Sequence, residues 1–169
     1  MGNYKDLFSA EAVAKIKEMA GDIKVCMFCT DLSSKPVSVR PMSVLDVDDA
    51  GNLWFLSSAR SNKNIEIKEA AEVQLLFANN GSSEYLSVYG KAEIFTDRAH
   101  IDQVWTPIAK TWFEEGKEDP DASVIKVAPA DAYYWDTKHG KMVSMLSYAL
   151  GAIAGTKVDD NSIEGRLKV

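Results

Sequence analysis

The sequence predicts a mainly β domain with helical additions. Three observations carry this. Short apolar runs of strand character recur between tight-turn signals, as in an antiparallel barrel. Helical patterns are few, and most fall between or after those runs. The regular strand–helix alternation of a doubly wound sheet is absent.

Each element has a local reason. Ser9 is placed to cap a helix to Ala20, with Glu11 in the first turn, Val13, Ile16 and Ala20 on one face, and Gly21 as its stop. The run 23–30 (Ile23 to Thr30) reads as a first strand. After Lys35-Pro36, the run from Val37 to Val47 reads as a second. Asp48-Asp49-Ala50-Gly51 is a hairpin turn, and Asn52 to Ser57 returns as a third. Ser61 or Asn62 caps a short helix through Lys68. Val73, Leu75 and Phe77 alternate along a fourth strand, which turns at Asn79-Asn80-Gly81-Ser82. Tyr85 to Phe95 is a fifth, and Gly90 within it predicts a bulge or a close backbone approach. Asp97 caps a helix carrying Ile101, Val104 and Trp105. Pro107 opens another at its favoured first position, with Ile108 and Trp112 on one face and Gly116 as its end. Val124 to Asp136 is the sixth strand, Lys138-His139-Gly140 a turn, and Met142 to Ala154 an apolar helix. The domain is expected over residues 1–156. Residues 157–169 read as a loose polar tail, which includes Ile163-Glu164-Gly165-Arg166, a tetrapeptide also used as an engineered protease site.

Composition narrows the function. The 169 residues suit one domain with its own core. With 25 acidic against 19 basic side chains, the net charge is −6, which argues against a broad nucleic-acid footprint. A local pocket can still gather enough cations for a small anion. No signal-peptide pattern opens the chain, and the charge-free run from Met142 to Thr156 is short for a membrane span. A soluble, cytoplasmic protein is expected. Cys26 and Cys29 form a C-x-x-C pair, but on a strand those positions face opposite ways, and no second pair completes a metal site. They read as buried structural cysteines, and no metal is expected.

Three places can carry chemistry. Arg40 is one of only four arginines and stands mid-strand in Val39-Arg40-Pro41-Met42-Ser43. Pro41 cannot donate to a ladder, so the strand belongs at an edge. There Arg40 is either a solvent-facing residue or a planar fork for phosphate oxygens. The second place is Phe55-Leu56-Ser57-Ser58-Ala59-Arg60-Ser61-Asn62-Lys63. Hydroxyls at a strand end lead into a helix start beside a lysine, which fits an anion site or plain capping. The third is aromatic: Trp105, Trp112, Phe113 and Trp135 can fill a core or an interface, or cover a flat heteroaromatic ring. No nucleophile elbow, phosphate-binding loop or close histidine pair occurs.

From Arg40 to Phe77 the chain resembles the pyridoxamine 5′-phosphate oxidase-like FMN-binding proteins, most of all their bacterial general stress protein branch. Arg40-Pro41-Met42 is followed by the Asp48-to-Ser57 hairpin, Ser61-x-Lys63, Val73 to Phe77, and Tyr85-x-Ser87-Val88-x-Gly90-x-Ala92. The likeness continues through Trp105, Pro107, Trp112-Phe113, Asp119-Pro120 and Tyr134-Trp135-Asp136, covering residues 5–156. The resemblance implies a six-stranded antiparallel Greek-key split β-barrel with flanking helices. It implies a homodimer with FMN at the interface and flavin-dependent oxidoreductase chemistry. By the same resemblance Arg40 and Lys63 grip the phosphate, with Ser57 and Ser58 nearby at the end of the Phe55-Leu56 strand and Ser61 at the helix start. Pro41 and Met42 approach the ring, and Trp112-Phe113 close the pocket, from the partner subunit in one arrangement. The Arg-x-His substrate motif of true pyridoxamine phosphate oxidases is missing, since no histidine follows His139. Two alternatives remain open: a non-catalytic protein that stores or senses FMN, and a split barrel holding deazaflavin or haem, the latter on His100 or His139.

Overall fold

The computed structural model describes residues 3–137 and 162–169. Their order is β1 (Asn3–Tyr4), β2 (Leu7–Phe8), α1 (Ser9–Ile23), β3 (Val25–Thr30), β4 (Ser38–Ser43), β5 (Asp46–Val47), β6 (Leu53–Ser58), α2 (Asn62–Glu69), β7 (Glu72–Asn79), β8 (Glu84–Phe95) and α3 (Arg98–Val104). Two 3₁₀ turns, Pro107–Thr111 and Gly116–Glu118, then precede β9 (Ala122–Thr137) and β10 (Ser162–Lys168). The chain is mainly β, as expected. Its strands, however, form one mixed, open sheet of ten members rather than six antiparallel ones.

The order across the sheet is β1-β10-β9-β8-β7-β3-β4, with β2 beside β10, β6 beside β9 and β5 beside β6. The two short N-terminal strands run parallel to β10, and every other pair is antiparallel. β9 organises the whole. One of its edges follows β8 from Val124 to Trp135. Its other edge meets β6 over Ala122 to Val127 and then β10 over Ala132 to Thr137. The exchange of neighbours coincides with Pro129, which has no N–H to give. There the register with β8 shifts between Tyr89 and Gly90, as the glycine predicted. A Cβ on Gly90 would strike the Ala128 carbonyl, so only glycine permits this approach.

Both faces of the β6–β9 pair are covered. Leu53, Phe55, Ile125 and Val127 point into the main core with Phe28, Leu75, Phe77 and Val88, and Phe28 meets Phe55 edge-on at 5.2 Å between ring centroids. α1 closes this core with Ala12, Ile16, Met19 and Ala20, a stripe at helical spacing. Trp54, Ala122 and Val124 face the other way and pack under α3 and the first 3₁₀ turn, against Ile101, Val104, Ala109 and Phe113. Large side chains buried on this scale contribute roughly 1.5–3 kcal/mol each, which fixes the β6–β9 pair as the scaffold for anything mounted on it.

Several local expectations are corrected. α1 runs through Gly21 to Ile23, and it ends at Lys24 (φ 66°), because nothing crowds Gly21 and one glycine costs a helix only about 1 kcal/mol. Ser9 is the first helical residue, and Phe8 holds the cap position without a side-chain bond. The run from Val37 to Val47 divides into β4 and β5. The segment after Pro107 is 3₁₀. The polar end is not loose over 162–168. β10 alternates outward Arg166 and Lys168 with buried Gly165 and Leu167, and it is paired on both edges. A Cβ at Gly165 would strike the Lys5 carbonyl. The expected turn at Lys138-His139-Gly140 and helix from Met142 to Ala154 lie outside the described residues. No helix among the described residues is long and apolar enough to cross a membrane.

Candidate functional site

β4 is an edge strand, as Pro41 required: among the described residues it pairs only with β3. Its side chains alternate between half-buried and exposed. Arg40 falls on the inner face opposite Phe28, while Pro41 and Val39 face outward. The half-buried Arg40 guanidinium is anchored at two points. Nη1 donates to Thr30 Oγ1, and Nη2 donates to Glu66 Oε2 at 2.8 Å. Thr30 Oγ1 donates in turn to Glu66 Oε2, and Ser38 Oγ donates to Glu66 Oε1 at 3.1 Å. Both oxygens of one carboxylate are therefore filled by donors from β3 and β4. Burial works to raise the Glu66 pKa, but the bonds from Thr30, Arg40 and Ser38 outweigh it and hold the group below the usual carboxylate range.

Lys63 stands one helical turn before Glu66 on α2, so the two share a face. Burial pushes the Lys63 ammonium pKa down, and the Arg40 charge pushes it further the same way, against Asp121 and Glu66. No carboxylate among the described residues bonds Lys63. Two cations thus act on one another in a half-buried place, against the carboxylates of Glu66 and Asp121.

The hydroxyls after β6 do other work. Ser57 Oγ donates to Asn64 Oδ1 at 2.8 Å, Asn64 Nδ2 donates to Ser123 Oγ at 2.9 Å, and Ser123 Oγ donates to the Ser57 carbonyl at 2.9 Å. All three residues are buried, and the network ties β6, α2 and β9 together. Ser61 takes the cap position of α2, but its hydroxyl turns to Asn64 Oδ1 at 3.2 Å. Ser58 Oγ donates to Asp121 Oδ2 at 2.6 Å, and Arg60 closes on the other oxygen of Asp121 from its backbone N–H and its Nε.

The predicted residues therefore separate. Arg40 and Lys63 come together. Ser57 and Ser61 hold the root of α2, and Ser58 holds Asp121. Phe55 lies in the main core, Leu56 packs against the second, and Met42 lines the first from β4. Phe113 is buried in its own chain's second core, 5.9 Å from the Trp105 ring, whereas Trp112 is 69% exposed. Cys26 and Cys29 are free and buried, in keeping with a structural role. His100 stacks on Phe95, with its Nδ1 2.7 Å from Asp97, and His139 lies outside the described residues.

Sequence reasoning missed Thr30, Glu66, Asn64 and Ser123. Glu66 carried a signal, three residues past Lys63 on one helical face. Asn64 carried another, a poor helix former on the same face as buried Ile67. Thr30 and Ser123 carried none.

The outward face of β4, β3, β7, β8 and β9 carries several exposed apolar side chains, with Gln74 and Ser87 bonded to one another among them. Met27 lies across from Leu76, and Tyr85 from Trp135, with Val39 and Tyr89 beside them; all six are exposed. Pro41 lies on this face across from Met27. An exposed apolar patch can mark an interaction surface. This one begins on the residue next to Arg40.

Comparison with known proteins accords with this architecture. The family model described as "Pyridoxamine 5'-phosphate oxidase like" matches residues 11–159. The chain is 27% identical over 133 residues to the protein bli-3 of Neurospora crassa, covering 73% of this chain and 64% of that one, so it spans less than two thirds of that relative. A general stress protein 26 from Jannaschia sp. CCS1 has a similar fold, with a TM-score of 0.75 at 21% identity, covering 95% of this chain and 99% of that one. A structure described as the general stress FMN/FAD binding protein from Xanthomonas citri has a TM-score of 0.63 at 24% identity, covering 74% and 87%. By the family match over most of its length, the chain belongs to the pyridoxamine 5′-phosphate oxidase-like family.

Proposed function

We propose that the chain is an FMN-binding flavoprotein of the general stress protein type. In this reading it acts as a cytoplasmic homodimer with the flavin at the subunit interface, and as an oxidoreductase. The observation that carries the reading is the half-buried Arg40, ion-paired to Glu66, with half-buried Lys63 one helical turn before Glu66 and near enough for the two positive charges to act on one another. A phosphate monoester can accept from both cations, and a guanidinium fork with an ammonium is a donor set suited to it. The name of the Xanthomonas citri neighbour supports a flavin.

Bound flavin would supply hydride acceptance and electron transfer; this chain's residues bind and orient it. Arg40 and Lys63 hold the phosphate. Ser57, Asn64 and Ser123 anchor α2, and with it Lys63. Pro41 and Met42 lie next along β4 and present the ring side of the pocket. The apolar patch on the outer face supports the dimer. It starts at Pro41, so a subunit docked there brings its own surface up to the Arg40 edge. The exposed Trp112 is then the aromatic free to reach across. The antiparallel strands β3, β4 and β6 to β9 make up the split barrel of this reading. The unpaired cysteines fit a reducing compartment.

Titration with FMN, followed by flavin fluorescence, tests the site. Replacing Arg40 and Lys63 together by alanine is expected to weaken binding at least about tenfold, since charge-assisted phosphate contacts are the strong ones. Unchanged affinity refutes the assignment. Reduction by NADH or NADPH tests turnover, and a flavin left oxidised by both counts against an NAD(P)H-dependent enzyme.

A further inference from the structure

The clasp around Arg40 contains more than phosphate binding requires. Glu66 accepts from Thr30 on β3, from Ser38 and Arg40 on β4, and is itself carried by α2. Its side chain is only 22% exposed, and Thr30 is fully buried. The contacts close a ring, from Arg40 Nη1 to Thr30 Oγ1 to Glu66 Oε2 and back to Arg40 Nη2. A guanidinium has five N–H donors, so these two contacts leave others for a ligand. The ring also joins α2 to the β3–β4 edge, and the helix carries Lys63 one turn before Glu66.

Without a carboxylate in this place, Arg40 and Lys63 repel one another. Burial is the main cause of the lowered Lys63 pKa, and the Arg40 charge adds to it even with Glu66 present. Arg40, on an edge strand, would also lose the partner that fixes its long side chain. Pre-organised contacts add to affinity because less freedom is lost on binding.

We propose that Glu66 is a positioning residue for phosphate binding: seated on Thr30, Ser38 and Arg40, its carboxylate holds the guanidinium and the Lys63-bearing helix in the arrangement that a ligand phosphate meets. This rests on the phosphate site proposed above. Glu66 does not itself touch the phosphate; it acts through Arg40 and α2.

FMN and riboflavin, which differ by the phosphate, provide the test. Each is titrated by flavin fluorescence against wild type, Glu66→Ala and Glu66→Gln. Wild type is expected to prefer FMN. Glu66→Ala is expected to lose about tenfold in FMN affinity and less than about twofold in riboflavin affinity, as for a lost pre-organised charge-assisted contact. Glu66→Gln keeps an acceptor for Arg40 and Thr30 and is expected to recover part of the preference. A wild-type preference for FMN that survives Glu66→Ala overturns the role of Glu66 and leaves the site standing. Tighter FMN binding in either variant also overturns it, since Glu66 is then a competitor for Arg40. A wild type without any preference for FMN overturns the phosphate site and the role of Glu66 together. If Glu66→Ala does not fold, Glu66→Gln decides alone: about a threefold loss of preference supports the proposal, and an unchanged or larger preference overturns it.

Discussion

Replacing Asn64 by leucine keeps the number and branching of side-chain heavy atoms and removes the hydrogen bonds at the root of α2. Asn64 has no solvent exposure, so water cannot take over its partners. The change deletes the 2.8 Å bond from Ser57 Oγ, the 2.9 Å bond to Ser123 Oγ and the 3.2 Å bond from the half-exposed Ser61 Oγ. Ser57 keeps only 3.3 Å approaches to the Ser58 carbonyl and to Ser61 Oγ, while Ser123 keeps its bond to the Ser57 carbonyl. Each buried group left short of a partner costs about 1–3 kcal/mol, and Ser123 is the less affected, so the sum is about 2–4 kcal/mol. For a chain of this size each kcal/mol moves the melting point by about 2–4 °C, which gives a fall of about 4–16 °C. Urea unfolding followed by tryptophan fluorescence measures it. Adding Ser123→Ala to Asn64→Leu should cost less than the two single changes combined, because they break the same bond. A loss below about 0.5 kcal/mol, or strict additivity, refutes the network as the anchor of α2.

Further tests address the interface, acid stability and the cysteines. Met27→Glu places a charge on the outer face and should convert the proposed dimer to monomer in sedimentation, with the melting point of the monomer little changed, because Met27 is 46% exposed. Asp48 accepts from the Ala50 and Asn52 backbones and from the Asn52 and Trp54 side chains. Burial acts upward on its pKa, but these bonds prevail and hold it below the usual carboxylate range. A group with a depressed folded pKa contributes fully above its unfolded value, about 4, and loses that contribution as the pH falls through the folded value. Asp48→Ala should therefore melt lower at pH 7 and lose less than wild type on further acidification below pH ~4, as read by thermal scans across pH. Burial pushes the Cys26 thiol up to about 12, so thiol reagents at pH ~8 should label it only on unfolding, as followed by mass.

How far the sequence was readable depended on the distance over which each feature is decided. The Asp48-to-Gly51 turn, the Asp97 cap (bonded to the His100 N–H), Pro107 at the head of its turn and Gly90 at the bulge rest on chemistry within a few residues. The edge position of β4 could be argued from Pro41 alone, and Arg40 with Lys63 from charge and spacing. Glu66, Thr30, Asn64 and Ser123 gain their meaning from partners up to 66 positions away, which no local pattern encodes. β10 was hidden for another reason. Arg166 and Lys168 face solvent, so its polar composition reads as a tail, although its backbone is paired on both edges.

That pairing gives the chain a reporter of its own opening. Ile163-Glu164-Gly165-Arg166 lies inside β10, with β9 along one side and the N-terminal strands along the other. A protease that cuts after this tetrapeptide must draw an extended segment into its own cleft. Here both flanks of that segment are already taken, and at Gly165 the backbone of Lys5 fills the space a side chain would need. Cutting waits until the two ends of the chain part. At low protease its rate follows the population of that open form, so it reads the stability of the terminal closure without any introduced probe.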